Sequence, residues 1–240
     1  MAKQVTPIGE TARWGREWQT APDWESHTVL RAEAERIAAG YVGLLEMLRG
    51  PVGGLKGLGV GSGAGHLEAA LDARGIDMVA SEWNEDGLRL IQSQNPALAI
   101  RLVDLMTFSE AEGFDLIVCR ELYPFTRTNE CSPQLEMLVR LVDGLKPNGI
   151  LLLVGSDVSK PQCLDYVEAM RRPRADPRIA EVFGPVLEPL VKRMPGKSPG
   201  RVAVLLLAWI AELALTAARV LRRGPLAGIR VYAIRKAMTR

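Results

Sequence analysis

The chain has 240 residues, 48% of them hydrophobic and 24% charged, a composition typical of a globular domain and not of a disordered or collagen-like chain. Its three scattered cysteines form no CxxC pair, which argues against a disulfide scaffold and favours a reducing compartment. The net charge of +2 is unevenly placed, because residues 186–240 hold eleven lysines and arginines against two acids. This basic tail is typical of an anionic surface or partner, and equally of a solvated face.

The first 50 residues predict a helical arm or lid. The opening residues are polar, so we expect no secretory signal and a cytoplasmic location. Three tryptophans, Trp14, Trp18 and Trp24, are typical of packing but also suit a lid over an apolar acceptor. Apolar residues at helical spacing predict a helix over 26–48, ended by a Gly-Pro pair.

The next stretch, 55–157, alternates short apolar strands with helices. The pattern predicts strands at 55–60, 76–82, 98–104, 114–121 and 150–157, with helices at 66–75, 85–96 and 133–149. Such alternation predicts an open, mostly parallel, doubly wound sheet. Ligands of these sheets bind at the carboxyl ends of the strands, near the point where the strand order reverses.

The pattern is less regular after residue 157. Residues 160–171 read as helix, 178–194 are ambiguous between helix and strand, and 201–223 are strongly helical. A final strand is predicted at 228–236. We therefore expect one domain over 51–240, with its core at 55–157, a helical insertion at about 186–223 and the last strand behind it.

A glycine-rich loop follows the first predicted strand. Its glycines let the chain turn sharply and let a ligand touch the main chain, while the helix behind it offers free N–H groups. Read as GxGxxA on Gly59, Gly61 and Ala64, the loop predicts a dinucleotide site and an NAD(P)-dependent oxidoreductase. The second interpretation is GxGxG on Gly61, Gly63 and Gly65.

The GxGxG interpretation resembles motif I of the class I S-adenosylmethionine (SAM)-dependent methyltransferases of the small-molecule type, whose loop holds the methionine part of the cofactor. Glu82 stands where the family places an acid on the ribose hydroxyls, and Asp104 where it often places an acid near the adenine. Residues 114–118, 145–153 and 231–236 resemble the family's fourth, fifth and last strands. These ordered matches favour the methyltransferase over the dinucleotide interpretation.

The resemblance implies a Rossmann-like α/β sheet of seven mostly parallel strands and SAM as the cofactor. The cofactor-binding residues that it implies are Gly59, Gly61, Ser62, Gly63, Gly65, Glu82, Trp83, Asp104 and Leu105. Gly59 departs from the family's pattern, which usually has an acid at this position. The departure keeps open a non-catalytic, methyltransferase-like binding protein, or a transfer of the acid's role to water or to another side chain.

The candidate catalytic residues are His27, Glu121 and Tyr123. Glu121 and Tyr123 follow the fourth predicted strand, where the family places acceptor and catalytic groups. His27 can serve as a general base if the N-terminal helix folds over the cofactor. Arg120 and Arg127 can engage an anionic acceptor by their fork geometry. No cluster of His, Cys and Asp has metal-ligand spacing, so no metal is expected.

We therefore expect methyl transfer to oxygen, nitrogen or carbon of a small-molecule or lipid-linked acceptor. The motifs of nucleic-acid methylation, Asn/Asp-Pro-Pro-Tyr/Phe and Pro-Cys, are absent after the fourth strand. The apolar stripe within 201–223 predicts either a buried helix or homodimer contact, or peripheral contact with a membrane. A bilayer span is disfavoured, because Glu212 lies in the middle of the stripe.

Overall fold

The computed structural model describes residues 29–110, 113–122, 125, 131–156, 176–191, 210 and 229–238. Seven strands and five helices make up this described part of the chain. In chain order they are α1 (Arg31–Arg49), β1 (Lys56–Val60), α2 (His66–Asp72), β2 (Asp77–Glu82), α3 (Glu85–Gln94), β3 (Ala99–Leu102), β4 (Phe114–Arg120), α4 (Cys131–Asp143), β5 (Leu145–Ser156), β6 (Ile179–Leu187), α5 (Glu188–Val191) and β7 (Ile229–Lys236).

All seven strands belong to one sheet with the order β3-β2-β1-β4-β5-β7-β6. The first five strands pair in parallel, and β7 runs antiparallel between β5 and β6. The predicted seven-stranded, mostly parallel, doubly wound sheet is therefore confirmed. Its strand order reverses between β1 and β4, which opens a crevice outside the carboxyl ends of these two strands.

Both faces of the sheet are covered, which explains why the central strands are apolar throughout. On β5, Ile150 and Leu152 pack into the cluster that contains α1 and α2, whereas Leu151 and Leu153 pack into the opposite cluster with α4. Successive side chains of a strand point to opposite faces, so a strand covered on both sides needs no polar alternation. The same division holds along β4.

Helix α1 is part of the main core. Ile37, Tyr41, Leu44 and Leu45 are fully buried in the cluster beneath the sheet, and the helix begins at Arg31, after an extended Leu30. Residues 31–49, the second part of the arm or lid expected for 1–50, pack with their apolar face on α2 and the sheet. Residues 1–28, with His27 and the three tryptophans, lie outside the described residues.

The C-terminal part of the sheet ends close to the expected start of the helical insertion at about residue 186. The ambiguous stretch 178–194 contains β6, which ends at Leu187, and the single turn α5. Val186 pairs with Val231 in the sheet, and its side chain is buried. The helices expected at 160–171 and 201–223 lie outside the described residues apart from Ile210. Among the described helices, none combines the length and apolarity needed to cross a membrane.

Candidate functional site

The glycine loop between β1 and α2 lies at the crevice where the strand order reverses. Gly61, Gly63 and Gly65 have φ values of 68°, 58° and 73°, in the left-handed region that L-residues adopt only with strain. Gly59 and Ala64 do not lie in this region. The backbone therefore needs glycine at the three GxGxG positions and not at the first and last positions of GxGxxA.

Two hydrogen bonds hold the loop against β2, and a third closes a turn within it. The Ser62 N–H donates to the Ser81 carbonyl at 3.0 Å, and the Ser81 N–H donates back to the Ser62 hydroxyl at 3.1 Å. The Gly65 N–H closes a turn by donating to the Ser62 carbonyl at 2.9 Å. Ser62 is thus fixed through both its main chain and its hydroxyl.

Glu82 ends β2 and reaches the loop. Its Oε1 accepts a hydrogen bond from the Gly63 N–H at 2.7 Å, so the predicted ribose-binding acid and the loop meet in one place. Loss of hydration raises the pKa of Glu82 to about 7, although hydrogen bonds from the Gly63 and Trp83 amides oppose the shift. Gly87 in α3 leaves room for this side chain, because a Cβ there would lie 2.7 Å from Glu82 Cγ.

A second carboxylate, which the sequence did not single out, lies beside the loop. Glu68 in α2 is 3% exposed and is directed towards β1. A Cβ placed on Gly59 would lie 2.2 Å from Glu68 Oε1, so the glycine makes room for this carboxylate. Its only sequence signal is its position, an acid between the apolar Leu67 and the alanines of a core helix.

The residues after β3 form a turn at the same edge of the sheet. Asp104 Oδ1 accepts a hydrogen bond from the Met106 N–H at 2.9 Å, and the Asp104 carbonyl accepts one from the Thr107 N–H. The Leu105 side chain is buried in the cluster with α4, whereas Trp83, after β2, is half-buried. These residues are placed along the edge expected for the adenosine part of a cofactor.

Arg120, at the end of β4, is held by a buried ion pair. Its Nε and Nη2 donate to the two carboxylate oxygens of Glu188 at 3.0 and 3.1 Å, and the Tyr41 hydroxyl donates to Glu188 Oε1 at 2.6 Å. Burial opposes the charge, but the bond to Glu188 holds the pKa of Arg120 above its ordinary value. Two nitrogens of Arg120 are thus bound to Glu188, and its contact with an anionic acceptor stays a prediction.

Leu122, which follows β4, lies close to the loop, and Glu121 before it is bound to β5. A Cβ on Gly61 would lie 2.5 Å from Leu122 Cδ1, so Leu122 packs over the loop. Glu121 has φ 51°, and its N–H donates to the Val154 carbonyl at 2.7 Å. The structure therefore brings the GxGxG loop and Glu82 together at one crevice, and Glu121 follows β4 at the same end of the sheet. Tyr123 lies outside the described residues, as His27 does.

Comparisons with known proteins found similarity in structure and not in sequence. No protein-family model matches the chain, and no curated protein matches it. The plantazolicin methyltransferase BpumL in complex with S-adenosylhomocysteine (SAH) has a TM-score of 0.58 at 15% identity, with 92% of this chain and 93% of that chain covered.

Two further solved structures are similar over nearly the whole chain. A TehB-like SAM-dependent methyltransferase from Corynebacterium glutamicum has a TM-score of 0.54 at 15% identity. The N-methyltransferase NodS from Bradyrhizobium japonicum, in complex with SAH, has a TM-score of 0.52 at 12% identity. In each of the two alignments, 94% of this chain and 97% of the other chain are covered. Together with the sheet order, these similarities show that the chain has the fold of the SAM-dependent methyltransferases.

Proposed function

We propose that the chain is a SAM-dependent methyltransferase that acts on a small-molecule or lipid-linked acceptor. One observation carries the proposal. On a methyltransferase fold, the three glycines with positive φ and Glu82 meet at the crevice between β1 and β4, joined by the hydrogen bond from Gly63 to Glu82. A half-buried loop at residues 61–64 beside a carboxylate suits a ligand with both polar and hydroxyl groups.

The residues present fit the cofactor. The loop would receive its methionine part, Glu82 its ribose hydroxyls, and the edge formed by Trp83, Asp104 and Leu105 its adenine. When bound, the cofactor supplies a methyl group on a positively charged sulfur, which is already a strong electrophile. The chain's task is then to hold the acceptor in line with that methyl group and to exclude water.

The acceptor is expected beside Glu121, because this residue follows β4 at the same crevice. Its carboxylate is our candidate for proton removal from an acceptor oxygen or nitrogen, with His27 and Tyr123 as further candidates. The similar structures include a plantazolicin methyltransferase and an N-methyltransferase, which supports a small acceptor. A lipid-linked acceptor draws its support from the basic, apolar sequence of 201–223.

Two other functions fit the sequence less well once the geometry is considered. An NAD(P)-dependent oxidoreductase would use Gly59, Gly61 and Ala64, but the left-handed positions are 61, 63 and 65. The classic dinucleotide fold has the strand order 3-2-1-4-5-6, whereas here antiparallel β7 follows β5. The missing acid at Gly59 is what favours a non-catalytic binding protein. The carboxylate of Glu68 lies over this position, which weakens that support.

Calorimetric titration of SAH into matched variants tests the proposed site. We expect Glu82→Gln to weaken binding by about 1–3 kcal/mol, the cost of a lost charge-assisted hydrogen bond. Gly63→Val should abolish binding without unfolding the chain, because its side chain would enter the ligand's space. Glu85→Gln is the control, since Glu85 is exposed at the start of α3. A larger loss for Glu85→Gln than for Glu82→Gln would disprove the assignment.

The class of acceptor needs a separate experiment. The purified chain is incubated with SAM that carries a labelled methyl group, together with either the water-soluble or the lipid fraction of a cell extract. Label that depends on the wild-type chain and disappears with Gly63→Val identifies the fraction that holds the acceptor. Label in neither fraction, from a chain that binds SAH, would favour the non-catalytic binding protein.

A further inference from the structure

The side chain of Glu68 occupies the space beside Gly59, where this chain has no side chain of its own. Gly59 is the position where the resemblance expects an acid, and its backbone does not need glycine, because its φ lies outside the left-handed region. What excludes a side chain at this position is Glu68, whose Oε1 would lie 2.2 Å and whose Cγ 2.4 Å from a Cβ on Gly59. A carboxylate from α2 therefore fills the space that a side chain on β1 would fill.

The neighbours of Glu68 place its carboxylate at the crevice. The Ser62 hydroxyl in the loop hydrogen-bonds to it, and the charges of Glu82 at the end of β2 and Arg120 at the end of β4 act on it. Glu68 therefore lies against the end of β1, within electrostatic reach of the carboxyl ends of β2 and β4.

One oxygen of this buried carboxylate has no partner among the described protein groups. Glu68 is 3% exposed, and within the described part of the chain no hydrogen-bond donor reaches its Oε2. An unsatisfied carboxylate oxygen away from water costs free energy, which a cationic hydrogen-bond donor would recover. Burial raises the pKa of Glu68 to about 7, because no cation that the structure describes is in direct contact to offset the loss of hydration of its carboxylate.

We propose that Glu68 supplies, from α2, the carboxylate that this chain lacks at position 59, and that it binds the positively charged amino group of the cofactor's methionine part. The inference rests on the proposed function. The loop holds the methionine part, and an ammonium group offers the charge and the N–H donors that Glu68 Oε2 lacks. Ser62 acts as a positioning residue, because its hydroxyl bonds to Glu68 and is itself fixed by the Ser81 N–H.

Two ligands that differ in the amino-acid part test the assignment. SAH carries the amino group, whereas 5′-methylthioadenosine keeps the nucleoside and sulfur but lacks the amino group. We expect Glu68→Gln to weaken SAH binding about 10- to 100-fold, the cost of a charge-assisted hydrogen bond, and to leave methylthioadenosine binding within about twofold. Glu85→Gln is the matched control and should change neither affinity.

An exchange variant moves the acid back to β1. Glu68→Ala frees the space over Gly59, so the paired variant Gly59→Asp with Glu68→Ala can carry its carboxylate on the strand. We expect this pair to bind SAH at least about 10-fold more tightly than Glu68→Ala alone, since the charged hydrogen bond is restored. If Glu68→Gln proves unstable, this comparison decides the question.

The outcomes separate this inference from the proposed function. Selective loss of SAH affinity with recovery in the exchange variant supports the inference. Equal weakening of both ligands would show that Glu68 only supports the fold, and unchanged SAH affinity would show that it does not bind the amino group; either overturns the inference and leaves the methyltransferase in place. A wild-type chain that binds neither ligand overturns both.

Discussion

Glycine serves two different purposes at the end of β1 and in the loop that follows it. At Gly59 it leaves space for Glu68, whereas at Gly61, Gly63 and Gly65 it supplies a backbone conformation that other residues resist. The two purposes predict different costs of substitution. A new side chain at position 59 needs only a vacated neighbour, but one at a left-handed position is strained whatever surrounds it.

An alanine series separates strain from crowding. Gly65→Ala should lower the free energy of unfolding by about 2–3 kcal/mol, because it combines φ 73° with a Cβ that would lie 2.8 Å from Ile91 Cγ2. Gly54→Ala should cost about 1–2 kcal/mol, since φ is 77° but the space is open. Gly53→Ala, with open space and no positive φ, is the control. Urea denaturation measures all three, and equal costs would refute the distinction.

The buried carboxyl of Glu68 also predicts how stability depends on pH. Its pKa of about 7 lies above the ordinary value of 4.5, so the folded chain holds the proton more tightly than the unfolded chain. The resulting stability is complete below pH 4.5 and is lost as the pH rises to about 7. Besides burial, Glu82 raises the pKa of Glu68, whereas Ser62 and Arg120 lower it.

Comparison with Glu68→Gln isolates the contribution of Glu68 to the pH dependence of stability, because the glutamine amide does not titrate between pH 4.5 and 7. The wild type should lose up to about 3 kcal/mol relative to Glu68→Gln between pH 4.5 and 7. Urea unfolding of the ligand-free proteins across this range measures the difference. A difference that stays constant with pH would mean that Glu68 keeps an ordinary pKa in the folded chain.

At the scale of elements, one buried ion pair joins α1, β4 and α5. Glu188 is fully buried and accepts from both Arg120 and Tyr41. Glu188→Ala should lower the free energy of unfolding by about 3–5 kcal/mol, because it leaves the Arg120 guanidinium buried without its anion. Tyr41→Phe should cost about 1 kcal/mol, the net value of one hydrogen bond.

The exposed pair of Glu85 and Arg89 on α3 provides the matched control for Glu188. Its side chains are 70% and 68% exposed, so Glu85→Ala should change the stability by less than about 0.5 kcal/mol. Denaturant midpoints of the three variants can be compared directly. A cost for Glu188→Ala no larger than that for Glu85→Ala would show that the ion pair does not hold these elements together.

The parts of the fold that were predictable have local signatures. The apolar runs of β4 and β5 and the glycines of the loop follow from the residues themselves, because periodicity and backbone conformation act over short distances. The role of Glu188 was not predictable, since its partner Arg120 lies 68 residues away. Glu68 was missed because a helix pattern shows which face is buried and not which neighbouring glycine makes room for a carboxylate.

At the scale of the whole molecule, the basic and apolar sequence of 201–223 predicts a contact outside the sheet. We expect vesicles rich in anionic lipid to bind the chain in a flotation assay, with binding reduced by salt and by Trp209→Glu. The control is Trp209→Phe, which keeps an apolar ring. A chain that stays unbound at low salt, and whose dimer Trp209→Glu splits, would instead support burial of the stripe between two copies.

The identity of the cofactor decides between the methyltransferase and the dinucleotide interpretation of one loop. Calorimetric titration of the purified wild-type chain with SAM, SAH and NAD tests this most directly. The positive φ values at positions 61, 63 and 65, with Glu82 beside them, predict saturable binding of SAM and SAH and no heat with NAD. Heat with NAD and none with SAM or SAH would contradict the account.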